Sequence, residues 1–133
     1  MKAISARATG GLNLGANLIA SDNSGAKIVR LVSVKRSKAK KKKQVCGKIA
    51  DWVKVSVRVG IPDMKGKVFD AVIIRQKKPF RRLNGERIAF SDNAVAIMKD
   101  DKGNPKGTQI KGPIAREVQE RWAQVAKIAS IVY

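Results

Sequence analysis

The chain contains no histidine and a single cysteine, Cys46. One cysteine cannot form an intramolecular disulfide, and without histidine beside it the ordinary zinc-ligand sets are missing. The same shortage removes the usual nucleophile and base combinations, because a catalytic Ser or Cys is activated by a neighbouring base. Asp100 and Asp101 are adjacent carboxylates, but they stand in a Gly, Asn and Pro-rich turn with no third acidic ligand nearby. Turns commonly carry Asp, so the pair is weak ground for a metal and no cofactor is expected. No run of about 18 apolar residues is present to span a bilayer, and the start, MKAISARATGG, has no continuous apolar core of the signal-peptide kind. The expectation is a cytoplasmic protein that touches no membrane and is not an enzyme.

Acidic residues are also scarce. Ten Asp and Glu stand against 29 Lys and Arg, a net charge of +19 in 133 residues. Such self-repulsion calls for a polyanionic partner. The excess is concentrated: residues 23–50 carry +10 and residues 71–87 carry +5, and no acidic residue lies between Asp22 and Asp51. At 44% hydrophobic content the chain can bury a core as one domain, residues 1–133, without staples.

The opening residues, rich in Gly, Ala and Asn, lack periodicity and read as a loose arm before Leu18 and Ile19. Ser21 to Lys27 is a tight turn, either a simple connection between strands or a phosphate-binding nest. Ile28 to Val34 reads as a strand that runs out into Lys35, Arg36, Lys38 and Lys40, Lys41, Lys42 and Lys43, with Lys48 beyond. Like charges in a row resist ordering, so this segment is expected to be a solvated loop that orders on nucleic acid, where each neutralised phosphate releases counterions. Val53, Val55, Val57 and Val59 alternate with polar residues, which predicts a strand with one buried face.

Val68 to Ile74 predicts a strand apolar on both faces, ending in Arg75, Lys77, Lys78, Arg81 and Arg82. Asn84-Gly85 favours a two-residue hairpin turn with both residues at positive φ, returning through Arg87 to Phe90. Phe80, among the cations, either stacks on a base or covers the edge of the core. After Gly112-Pro113 the spacing of Ile114, Val118 and Trp122 predicts an amphipathic helix with Pro113 in its first turn and a Glu117–Arg121 pair along it. It would cover the outer side of the Val68 strand or offer a docking surface. Several short strands and one terminal helix predict an all-β fold: a small closed five-stranded barrel over residues 1–112 with an N-terminal arm, followed by a C-terminal helical segment, residues 113–133.

A longer pattern runs through these pieces. DNSGAK (Asp22 to Lys27), AVIIRQKK (Ala71 to Lys78), RRLNG (Arg81 to Gly85), FSDNAVAI (Phe90 to Ile97), GNPKGTQIKGPIAREV (Gly103 to Val118) and ERW (Glu120 to Trp122) together resemble the universal large-subunit ribosomal protein family numbered fourteen, in its archaeal and eukaryotic form. The resemblance runs from about Leu18 to the C-terminus. It implies a five-stranded barrel with a C-terminal loop and helix region that binds large-subunit rRNA and neighbouring large-subunit ribosomal proteins. It places the rRNA contacts on Lys27, Arg75, Lys77, Lys78, Arg81 and Arg82. The basic loop (Lys35, Arg36, Lys38, Lys40 to Lys43, Lys48) and Arg87 add to them by charge. It further implies that Lys106, Thr108, Gln109, Lys111, Arg116, Glu117 and Arg121 lie towards the small-subunit rRNA and towards factors that keep the subunits apart. A free RNA- or DNA-binding barrel acting as a chaperone or architectural factor is the alternative that charge alone would allow.

Overall fold

The computed structural model describes residues 2–133. Its strands are β1 (Ala6–Arg7), β2 (Leu12–Asn13), β3 (Asn17–Ala20), β4 (Ala26–Val34), β5 (Cys46–Gly47), β6 (Trp52–Gly60), β7 (Val68–Arg75), β8 (Phe80–Arg82), β9 (Arg87–Ile88), β10 (Ala94–Ile97), β11 (Ile110–Ile114) and β12 (Ala129–Val132). Two short helices, α1 (Arg116–Arg121) and α2 (Ala123–Lys127), precede the last strand.

Five strands close a barrel in the order β10-β3-β4-β6-β7. All its pairings are antiparallel except β10 with β3, and closure leaves the barrel no free edge. The alternation read from the sequence governs β6: Val53, Val55 and Val57 are buried, while Val59 emerges at the rim. On β7, residues 71–75 are all buried and Val68 is exposed. The inward face fills the barrel, and the outer face of Ala71 to Ile74 is covered by the C-terminal segment and the chain before β6. Ala115 N–H donates to the Ile74 carbonyl and Ala50 N–H to that of Ile73. The Trp122 indole donates to the Ala50 carbonyl at 2.9 Å and meets Trp52 edge to face, with ring centres 5.8 Å apart.

Four sequence expectations change. The N-terminal segment is not a loose arm: β1 pairs with β8, and β2 pairs with β5. Its partners lie far along the chain, so no local period announces it. Pro113 and Ile114 end β11 rather than begin a helix, and Gly112 takes φ +80° beside a register shift. Ile114 reaches the core from a strand, Val118 and Val125 are buried apolar positions of the two helices, and Trp122 stands at the break between them. Glu117 does not pair with Arg121, because a buried partner, Arg82, takes it. The Asn84-Gly85 turn puts only Gly85 at positive φ (+88°). Gly85 N–H bonds to the Arg82 carbonyl and Arg82 N–H to that of Glu86, which closes a three-residue loop, Leu83 to Gly85, between Arg82 and Glu86.

Candidate nucleic-acid interface

The basic loop leaves β4 at a fixed point. Lys35 is drawn back to the barrel: its ammonium lies 2.8 Å from Asp70 Oδ2, 3.5 Å from Asp101 Oδ1 and 3.6 Å above the Trp52 ring. Arg36 then turns the chain at φ +59°, and Ser37 to Gln44 are exposed. Lys43 N–H closes a turn onto the Lys40 carbonyl, with Lys41 and Lys42 also in the left-handed region. The return is pinned where β5 meets β2 and where the half-buried Lys48 gives its N–H to Asp51 Oδ2 at 3.1 Å. Both feet of the finger are held, and its tip holds five cations, Lys38 and Lys40 to Lys43, in solvent.

At the exit of β7 the cations divide between the interior and the surface. Arg75 is buried and makes five bonds inside the protein: Nε and Nη2 to the Asp92 carboxylate, Nη1 to the carbonyls of Lys111 and Pro113, and Nη2 to Ser21 Oγ. Arg82 is buried against Glu117 at 2.9 Å and bonds the Tyr133 carbonyl. Lys77, Lys78, Arg81 and Arg87 are exposed. Phe80 is fully buried and covers the core, so it presents no face to a base. Gln76, also fully buried, gives its amide to the Thr9 and Lys78 carbonyls, tying the N-terminal segment to this exit.

Lys27 projects from β4, exposed, next to the Ser21 to Gly25 turn. That turn is filled by its own side chains. The buried Asp22 accepts from Ser24 Oγ at 2.6 Å and from Ile97 N–H at 2.8 Å, while Asn23 Oδ1 accepts Thr108 N–H at 2.7 Å. It acts as a buckle between the barrel and the 107–109 loop rather than as an open nest. Beyond it Lys106, Thr108, Gln109, Lys111 and Arg116 are exposed, with the Lys106 ammonium 5.2 Å above the Phe69 ring. Glu117 lies inside with Arg82. Arg121 is half-buried, donating to the Lys2 and Ala50 carbonyls and 3.5 Å from Asp51. Burial raises the Asp51 pKa, and the Lys48 N–H bond, the Lys48 charge and the Arg121 charge oppose that rise.

The structure thus brings Lys40 to Lys43, Lys77, Lys78, Arg81 and Arg87 to the surface and turns Arg75 and Arg82 inward. Among the described residues, only Lys35, Arg75, Arg82 and Arg121 have a carboxylate within 4.0 Å. One exposed cation that sequence reasoning passed over is Arg7, which β1 sets opposite Arg81. A register between remote strands leaves no local mark in the sequence.

The family model for ribosomal protein L14p/L23e matches residues 11–133. The chain belongs to that family. Large ribosomal subunit protein uL14 of Nanoarchaeum equitans is 56% identical over 132 residues, 99% of each chain. The uL14 proteins of Methanothrix thermoacetophila (50% over 121 residues, 91% of each) and Thermoplasma acidophilum (45% over 132 residues, 99% of each) are also similar. As a member of the L14p/L23e family the chain is a structural protein of the large ribosomal subunit and not an enzyme, and its location is the ribosome, in the cytoplasm. The all-β barrel accords with the family resemblance read from the sequence.

Proposed function

We propose that this large-subunit protein binds large-subunit rRNA through two basic rims held out from one barrel. The first is the finger, Arg36, Lys38, Lys40 to Lys43 and Lys48, whose foot Lys35 holds to the barrel, with Lys27 on the strand that leads into it. The second is the β7 exit, where Lys77, Lys78, Arg81 and Arg87 contact phosphates while Arg75 and Arg82 hold that rim from inside. The observation that carries the reading is the lack of any carboxylate within 4.0 Å of the exposed cations, among the described residues, in a chain of net charge +19. A folded rRNA supplies the missing anions, and contacts of this kind read backbone and shape more than base edges.

The segment from Lys106 to Arg121 faces the other way in function. Lys106, Thr108, Gln109, Lys111 and Arg116 contact small-subunit rRNA across the subunit interface, or a factor that keeps the subunits apart, with the half-buried Arg121 anchoring the helix end beneath them. Neighbouring large-subunit proteins pack beside them. Crosslinking within intact ribosomes tests both halves. The expected result is large-subunit rRNA on Lys40 to Lys43 and on Lys77 to Arg87, and small-subunit rRNA on Lys106 to Lys111. Crosslinks from both rims to protein alone would overturn the rRNA reading.

A further inference from the structure

The small sheet beside the barrel carries a row of like charge. In antiparallel pairing, residues directly opposite one another share a face, with Cβ atoms roughly 4.5–5.5 Å apart. Arg7 of β1 is opposite Arg81 of β8, and Arg81 is opposite Arg87 of β9. The adjacent positions turn the other way: Phe80, Arg82 and Ile88 are buried, while all three arginines are exposed. None of the three has a carboxylate within 4.0 Å among the described residues. Glu86, next to Arg87 in the chain, is bonded to the Asn84 side chain. Like charges directly opposite destabilise a sheet, and these strands are only two and three residues long. The arrangement therefore works against the free protein and in favour of a bound anion.

We infer that Arg7, Arg81 and Arg87 form a ladder that takes successive phosphates of one RNA strand crossing the sheet at right angles to its strands. A single phosphate would occupy one guanidinium fork. A row of three, carried on backbones roughly 4.8 Å apart and on side chains long enough to splay, suits a polymer with one charge per repeat. Leu83, 77% exposed, lines a cleft of about 290 Å³ with two of the three, Arg7 and Arg81, and with the edge of Arg82, and offers apolar surface to a ribose or base. The inference rests on the rRNA-binding reading, and it adds Arg7 and a direction for the strand.

The test uses the full chain, a labelled oligouridylate as RNA probe and polyglutamate as an acidic-peptide control, with Arg7→Gln, Arg81→Gln and Arg87→Gln. The slope of log affinity against log salt should fall by about 0.7 for each arginine replaced, the value for a phosphate on a single strand. In the same sample Arg81→Gln should raise the thermal midpoint of the free protein, because it removes the charge repelled from both sides. A purely structural arginine would lower that midpoint, and such a fall overturns the ladder. Unchanged slopes in all three variants, with wild-type binding intact, overturn it while leaving the wider rRNA reading standing. A greater weakening of polyglutamate binding than of RNA binding also overturns it, and failure of the wild type to bind RNA sinks both.

Discussion

Arg75 grips Asp92 with two parallel bonds, Nε to Oδ1 at 2.7 Å and Nη2 to Oδ2 at 3.0 Å, from the end of β7 to the loop before β10. The remaining donors reach β11 and the end of β3, so one guanidinium joins three parts of the fold. Arg75→Ala leaves a half-buried carboxylate and two carbonyls without their donor and should cost about 3–5 kcal/mol in urea unfolding. Lys77→Ala, two residues on and exposed, should change stability by less than about 0.5 kcal/mol. RNA affinity should show the reverse order once Arg75→Ala is measured where it is folded. An Arg75→Ala protein of wild-type stability that binds RNA weakly would mean the side chain faces outward.

Arg82 and Glu117 form a second internal pair, with side chains 7% and 2% exposed, which clamps α1 to β8. Breaking it from one side strands a buried charge, so Arg82→Met or Glu117→Leu alone should each cost about 3–5 kcal/mol. The double variant should recover much of that stability, because packed apolar groups of similar volume replace such pairs at little cost. A double-mutant cycle read by urea unfolding checks this, and strictly additive effects would show the two residues to be uncoupled.

The finger makes the opposite prediction. Lys40 to Lys43 are exposed and have no ion-pair partner among the described residues, so changing all four to Gln should leave the unfolding midpoint unaltered. The slope of log affinity against log salt should fall by up to about 0.9 for each duplex phosphate that the tip no longer neutralises. A slope unchanged from wild type makes the tip a bystander.

Asp51 supplies a pH signature. Burial raises its pKa in the folded protein, so in the window from the ordinary carboxylate value of about 3.9 up to the raised value the folded state holds a proton that the unfolded state has released. Its contribution to stability therefore falls as pH rises through that window and is constant above it. Unfolding across the acid range should show a steeper rise with pH for Asp51→Asn than for wild type, since this opposing contribution is gone. Coincident pH profiles would mean that burial leaves the carboxyl unshifted.

Local pattern and chemistry are legible in the residues themselves. The alternation of Val53, Val55 and Val57 determines a half-buried strand, the doubly apolar Ala71 to Ile74 a wall covered on both sides, and the acid-free run from Asn23 to Ala50 a cationic surface in search of an anion. These follow from periods of two and from charge, which neighbours along the chain suffice to express. Tertiary structure alone decided which cations stay in solvent: Arg75 and Arg82 look the same in sequence as Arg81, yet the distant carboxylates of Asp92 and Glu117 draw two of them inside. It also decided that Arg7 joins Arg81 and Arg87, and that Pro113 and Ile114 end a strand instead of opening a helix. Those outcomes depend on registers between strands far apart in the chain, and a pairing of that kind is a property of the closed fold, with no trace in the residues on either side.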